Sequence, residues 1–232
     1  MQDFRVLIVD DEPFQRRVLR EVLKNLEFRK ITEADSGQTA IEKVTGQKFD
    51  VILSDVQMPD MNGLELLRRI RAGKVSTPRD SRFIVLTSFS NTEVLGAAMA
   101  LDVNGFLAKP IRIGVVMEKI KKAVQEKFSA RPEADYEAVV TDLPTLGGTR
   151  RGAEPAMTAH PSAANEMEAH AAVIPVPLMG LREGMRVAKD VVATDGNIII
   201  PAGTRLTQLS LDRLSELSNL LTENVVYVLP PG

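Results

Sequence analysis

The chain has 232 residues, with 29 basic against 31 acidic side chains and a formal net charge of -2. That near balance supplies no general attraction for nucleic acid or anionic lipid. The absence of Cys excludes a disulfide framework and a thiolate metal centre. The length accommodates one well-buried domain of ordinary size with a second, smaller one.

The first residues lack the apolar core of a secretory signal, and no apolar run approaches the roughly 20 residues needed to span a bilayer. A cytoplasmic protein without membrane contact is expected. Residues 1–128 alternate strand-like runs with amphipathic stretches, the pattern of repeated βα units in an α/β fold, and five such units fit. The strand-like runs are residues 4–9, 51–54, 83–86 and 105–108. Phe14, Val18, Leu19, Val22, Leu23 and Leu26 recur at helical spacing, as do Ile113, Val116, Met117, Ile120, Val124 and Phe128. Each of these two helices is expected to bury that face. Pro13 fits a first helical turn, and Pro59, Gly63, Asn104-Gly105 and Pro110 punctuate the connections.

Residues 129–177 shift to Ala, Pro, Glu, Gly and Thr with Tyr136 as the one aromatic residue, a composition expected of a flexible linker. A short helix over 135–141 stays open. From 178 to 232 the pattern sharpens into a small α+β domain. Residues 185–193 alternate like a strand, Thr194-Asp195-Gly196-Asn197 is turn chemistry, and 198–200 resumes, which reads as a β-hairpin. Thr207 is a plausible N-cap for a helix carrying Leu211, Leu214, Leu217 and Leu221, and 225–229 closes a ββαβ unit. A unit this small is expected to pack against something else or to dimerise.

Asp10-Asp11, Asp55, Thr87 and Lys109-Pro110 each follow one of the strand-like runs. In an open parallel sheet such positions converge on the carboxyl edge. Singly, each has a plain structural role: a solvated loop charge, a helix cap, a strand-end hydroxyl, a surface cation. Together they fit a site for moving a phosphoryl group onto a carboxylate. Two unit charges 4 Å apart repel by about 4 kcal/mol at an effective dielectric near 20. Three clustered carboxylates therefore need a counter-charge. Mg2+, which takes oxygen ligands, suits Asp10, Asp11 and Asp55, and Lys109 offsets one charge without metal. Phe106 is explained as well by core packing as by a moving part. The Met residues read as core filler.

Asp10-Asp11, Asp55 followed by Met58-Pro59 and Gly63, Thr87-Ser88, and Lys109-Pro110 together resemble the receiver domain of bacterial two-component response regulators, over residues 4–128. The resemblance implies a five-stranded, doubly wound, flavodoxin-like sheet. It implies Asp55 as phosphoacceptor, with Thr87 and Lys109 contacting the phosphoryl group. Mg2+ would be held by Asp11, Asp55 and the Gln57 backbone carbonyl, with Asp10 acting through water. Lys109-Pro110 would be cis. Phe106 falls at the family's aromatic switch position, and its lack of a hydroxyl would favour an inward ring. Gln57 and Phe89 fall where the family tunes phosphoryl lifetime. The implied partner is a sensor histidine kinase or phosphotransfer protein, and the chain would be no enzyme beyond its own phosphorylation and dephosphorylation on Asp55. Output is expected through protein contact, including a possible homodimer through the face formed by residues 87–128.

Leu181, Gly184-Met185, the run Ala188, Lys189, Asp190, Val191, Asp195-Gly196, the run Pro201, Ala202, Gly203, and Leu206-Thr207 resemble the accessory segment found beside HD-GYP cyclic-di-GMP phosphodiesterase domains. The chain departs from such enzymes: its two His residues, His160 and His170, lie in the expected linker, with no HD dyad and no Gly-Tyr-Pro. An HD-GYP-type effector is therefore a possible partner, and a regulatory subunit of a cyclic-di-GMP phosphodiesterase system the alternative function. The nearly balanced charge of 178–232 and the lack of a helix-turn-helix pattern argue against DNA binding.

Overall fold

The computed structural model describes residues 3–88, 92–142 and 173–230. Its centre is a five-stranded sheet in the order β2-β1-β3-β4-β5, formed by β1 (Arg5–Val9), β2 (Lys30–Ala34), β3 (Val51–Asp55), β4 (Arg82–Thr87) and β5 (Gly105–Ala108). All four pairings are parallel. The connections are α1 (Pro13–Asn25), α2 (Gly37–Gly46), α3 (Gly63–Arg71), α4 (Thr92–Ala100) and α5 (Ile113–Gln125). This is the doubly wound, flavodoxin-like arrangement expected from the sequence.

Alternation along the strands divides the core into two layers. Val6, Ile8, Leu53, Ile84 and Leu107 face α1 and α5 and meet Leu19, Leu23, Val116 and Ile120. Leu7, Val9, Ile52, Phe83, Val85 and Phe106 face the other way and meet Leu64, Leu67, Ile70 and Leu95. A central parallel sheet covered on both faces explains why its strands read as continuous apolar runs.

Two of the expected apolar faces are narrower than their periodicity suggests. Phe14 is 70% exposed and Val18 38%, whereas Leu19, Val22 and Leu23 carry the burial of α1. Ile113 is 47% exposed at the start of α5. Phe128 lies beyond the end of α5, where its ring packs beneath the Arg71 guanidinium, 4.5 Å from the centroid.

The stretch expected to begin a linker is instead folded through residue 142. A short helix, α6 (Glu133–Glu137), presses Tyr136 into the core with none of its surface exposed. The Tyr136 hydroxyl donates to Asp102 Oδ2 at 2.8 Å and accepts from the Arg131 backbone at 2.8 Å. Asn62 Nδ2 donates to the Thr141 carbonyl at 2.7 Å, and Thr141 Oγ1 donates to Glu65 at 2.9 Å. Polar composition hid this segment, because one aromatic anchor and a few side-chain bonds do the docking.

The rest of the expected linker up to residue 172 lies outside the described residues, and the described chain continues from residue 173, before the expected boundary at 178. β6 (Ile174–Pro177) pairs antiparallel with β9 (Val225–Val228), and β7 (Val191–Val192) pairs with β8 (Ile198–Ile200) across the expected turn. The long strand expected over 185–193 is broken into this short strand and single bridges, Arg186 to Arg205 and Val187 to Val228. Its backbone changes partner from residue to residue, with Val187 N bonding Thr204 O and Ala188 N bonding Tyr227 O. α7 (Gln208–Glu216) is capped by Thr207, whose hydroxyl accepts from Ser210 N while Ser210 Oγ accepts from Thr207 N.

This C-terminal module does not stand apart. Val187, Ile199, Ile200, Leu214 and Val226 belong to the same apolar cluster as Leu95 and Phe106. The module lies on α4 and on the C-terminal half of α5, so much of the 87–128 face expected to mediate self-association is covered by the chain itself. Among the described residues, no helix is long and apolar enough to cross a membrane.

Candidate functional site at the carboxyl edge of the sheet

Strand ends deliver the site. Asp10 follows β1, Asp55 is the last residue of β3, Thr87 is the last of β4, and Lys109 follows β5. Carboxylate oxygens of Asp10, Asp11 and Asp55 all lie within 4.8 Å of one another. Asp10 is 1% exposed and Asp55 9%, while Asp11 faces solvent. Lys109 Nζ reaches both buried acids, at 2.8 Å from Asp55 Oδ2 and 3.3 Å from Asp10 Oδ2.

Backbone donors fix the two buried carboxylates. Asp10 Oδ1 accepts from Glu12 N at 2.9 Å, and Asp55 Oδ1 accepts from Val56 N at 2.8 Å. Burial pushes the Asp10 carboxyl above the usual range, and the charge of Asp55 adds to this; the Glu12 amide and Lys109 pull the other way without cancelling it. For Lys109, burial favours the neutral amine, but the hydrogen bond and charge of Asp55, with those of Asp10, outweigh it and raise the pKa. The pocket therefore concentrates negative charge and keeps one fixed cation inside it.

Thr87 is buried, and its carbonyl accepts from Lys109 N at 2.8 Å, so the two residues are joined through the β4-β5 edge. In that pairing Thr87 opposes Ala108 and Val85 opposes Phe106, which puts Thr87 and Phe106 on the same face of the sheet. Phe106 is 1% exposed, with its ring in the core. Lys109-Pro110 is cis. Gln57 follows in the loop after β3, exposed, with its side chain toward solvent. Phe89 lies outside the described residues.

One supporting residue was not singled out by sequence reasoning, and another was quoted without its structural role. Arg16 Nη1 donates to the Asp10 carbonyl at 2.7 Å and holds the turn that aims Asp10 and Asp11. Nothing in its spacing distinguishes it from the other basic residues of α1. Gly63, read only as punctuation and family pattern, is where α3 starts against β3. A Cβ there would lie 2.0 Å from the Asp55 carbonyl oxygen, so only glycine permits this approach. Asn62 caps the helix by accepting from Glu65 N at 2.8 Å.

The family model described as the response regulator receiver domain matches residues 6–121, half of the chain. The chain belongs to the response regulator receiver domain family. The receiver is 34% identical over 118 residues to the chemotaxis protein CheY of Pseudomonas aeruginosa, spanning 51% of this chain and 94% of that protein. It is 33% identical over 129 residues to a probable chemotaxis protein CheY of Rhizobium etli, spanning 56% and 95%. The solved chemotaxis response regulator CheY4 of Vibrio cholerae superposes with a TM-score of 0.47 at 27% identity, covering 52% of this chain and 98% of that one. The receiver domain of sensor histidine kinase PA1611 from P. aeruginosa, solved with magnesium coordinated in its active site cleft, gives a TM-score of 0.48 at 25% identity over 53% and 98%.

Proposed function

We propose that the protein is a response regulator that accepts a phosphoryl group on Asp55 from a phosphohistidine of a sensor histidine kinase or phosphotransfer protein. The observation that carries this reading is Asp55 at the mouth of the sheet, one oxygen tied to Val56 N and the other 2.8 Å from Lys109 Nζ. A carboxylate oxygen of Asp55 attacks phosphorus, an O–P bond forms, and the N–P bond of the donor breaks with its electron pair returning to the imidazole. The nucleophile is a carboxylate oxygen, which attacks without a general base.

Lys109 offsets charge on Asp55 before transfer and on the phosphoryl oxygens after it, and the Thr87 hydroxyl is the donor on the β4 side. The all-oxygen donor set of Asp10, Asp11 and Asp55 fits a hard divalent cation, with the Gln57 carbonyl as a further ligand. When bound, Mg2+ would neutralise the carboxylates and the incoming phosphoryl charge. In this reading the chain turns over no separate substrate.

Output runs through protein contact rather than nucleic acid. The near-neutral C-terminal module, whose α7 lies against the receiver, supports this. The second reading, a regulatory subunit contacting a cyclic-di-GMP phosphodiesterase, rests on the motif resemblance of 178–232; titration of cyclic-di-GMP into the whole chain separates ligand sensing from docking. For the main reading, Asp55→Asn and wild type are incubated with a phosphorylated histidine phosphotransfer protein. Loss of label in the variant is expected. Label taken up at the wild-type rate would reject Asp55 as acceptor.

A further inference from the structure

After α5 the chain passes along α3 as a strap, residues 129–142, all of it beyond residue 121, where the match to the receiver family ends. Its near end is fixed beside the end of α4. Arg131 Nε donates to Asp102 Oδ2 at 2.8 Å, and the enclosed Tyr136 hydroxyl donates to the same carboxylate oxygen. Farther along, the Glu137 carboxylate pairs with Lys74 at 2.6 Å, just past α3. The far end reaches the start of α3 at the carboxyl edge of the sheet, where Thr141 is buried.

There the strap closes on the first turn of α3 with two hydrogen bonds. The Thr141 carbonyl accepts from Asn62 Nδ2 at 2.7 Å, and the Thr141 hydroxyl donates to Glu65 Oε2 at 2.9 Å. Asn62 is thus held through both atoms of its amide, since its Oδ1 caps the helix by accepting from Glu65 N at 2.8 Å. The next residue, Gly63, packs on the Asp55 carbonyl, and its N–H donates to the Val56 carbonyl at 3.0 Å. Val56 N donates in turn to Asp55 Oδ1 at 2.8 Å. Direct contacts therefore run from Thr141 through Asn62, Gly63 and Val56 to Asp55, and Gln57 lies inside the loop that they close. An N-cap held by its own helix alone can shift with that helix. One that is also bonded to a strap anchored in the core has a second fixed reference, which is how a reacting group is kept in its productive geometry.

We propose that Thr141 is a positioning residue for phosphoryl transfer: through Asn62 and Glu65 it pins the loop of residues 56–62 in the geometry that presents the Asp55 carboxylate and the Gln57 carbonyl. The inference rests on Asp55 as phosphoacceptor. The strap is a brace, not a switch. It sets how fast the site reacts once a donor is bound, and it leaves the binding of the donor itself unchanged.

The test uses the whole chain and three variants. Thr141→Val removes the bond to Glu65, which keeps Arg68 and Arg69 as partners. Asn62→Ser keeps a capping oxygen and removes the amide donor to Thr141. Thr141→Ser keeps the hydroxyl. Labelling from a phosphorylated histidine phosphotransfer protein with Mg2+ is followed at increasing donor concentration, and hydrogen exchange of residues 56–65 is measured without metal. In Thr141→Val and Asn62→Ser the maximal labelling rate is expected to fall about 10-fold, short of the roughly 100-fold that a misplacement of about 1 Å costs, with the half-saturating donor concentration unchanged. Exchange at 56–65 is expected to quicken in both while that of β1 stays as in wild type, and Thr141→Ser is expected to match wild type in rate and exchange. Wild-type rate and exchange in Thr141→Val and Asn62→Ser overturn the brace and leave Asp55 as acceptor. Faster exchange across β1 as well, with a rate that Thr141→Ser does not restore, overturns it in favour of general destabilisation. Absence of label in every chain, wild type included, overturns the phosphoacceptor reading and the brace with it.

Discussion

Lys109 Nζ bridges Asp55 and Asp10, 2.8 Å from one carboxylate and 3.3 Å from the other, and so places a single cation between two acids that are almost wholly buried. That arrangement holds a site in which more negative charge is gathered than the chain neutralises by itself.

Asp10 bears the cost, since burial and the Asp55 charge raise its pKa above 3.8. A carboxyl with a raised folded pKa binds more protons folded than unfolded, so its ionisation lowers stability as pH climbs through that folded value. Asp10→Asn, which keeps an oxygen for Glu12 N, is expected to raise the metal-free stability at pH 7 on the order of 1 kcal/mol. The gain should shrink as pH falls toward 3.8. Urea titrations across pH 4 to 8 read this out; a gain that stays constant with pH would contradict the ionisation argument.

Gly63→Ala places a methyl 2.0 Å from the Asp55 carbonyl oxygen. Either α3 retreats or β3 bends, and both move Asp55. The expected loss is about 1–3 kcal/mol, together with slower labelling of Asp55. An alanine variant with wild-type urea midpoint and labelling rate would show that the α3 start yields freely.

Arg71 is a fully buried guanidinium without a carboxylate bonded to it among the described residues. It donates to the carbonyls of Leu101, Arg79, Ser81 and Asp102 and to Asn104 Oδ1, and burial brings its pKa down to about 10. Arg71→Met leaves those acceptors unpaired at the base of β4 and β5. A loss of about 3–5 kcal/mol is expected, measured as a lower midpoint of thermal unfolding. A change under 1 kcal/mol would mean that water replaces the guanidinium.

Residues 129–142 should act as part of the receiver. Tyr136→Phe keeps the ring and removes both hydroxyl bonds, for an expected loss of about 1 kcal/mol. Tyr136→Ala also removes the buried ring, for about 3–5 kcal/mol. Equal, negligible effects in chemical denaturation would return this segment to the linker.

Much of the receiver was legible because its signals are local. Runs such as Val6 to Val9 on β1 and Phe83 to Leu86 on β4 are apolar without alternation, as a sheet covered on both faces requires. The acids, the hydroxyl and the lysine stand at the ends of those runs. Spacing misled where a helix end meets solvent, as at Phe14 and Ile113, since periodicity does not report which part of an apolar stripe has a neighbour.

By itself the sequence determined the parallel βα frame, the edge at which Asp10, Asp55, Thr87 and Lys109 meet, the turn before β8 and the Thr207 cap. These follow from strand polarity, turn chemistry and capping, which need only near neighbours in the chain. Only the tertiary structure decided that Tyr136 anchors 129–142, that Arg71 is wholly enclosed, and that Asp195 closes on Thr92 while Ile198 sits over Gly96. Most of those contacts join residues 30 or more apart. Their polar or small side chains look like surface until the fold brings a partner to them.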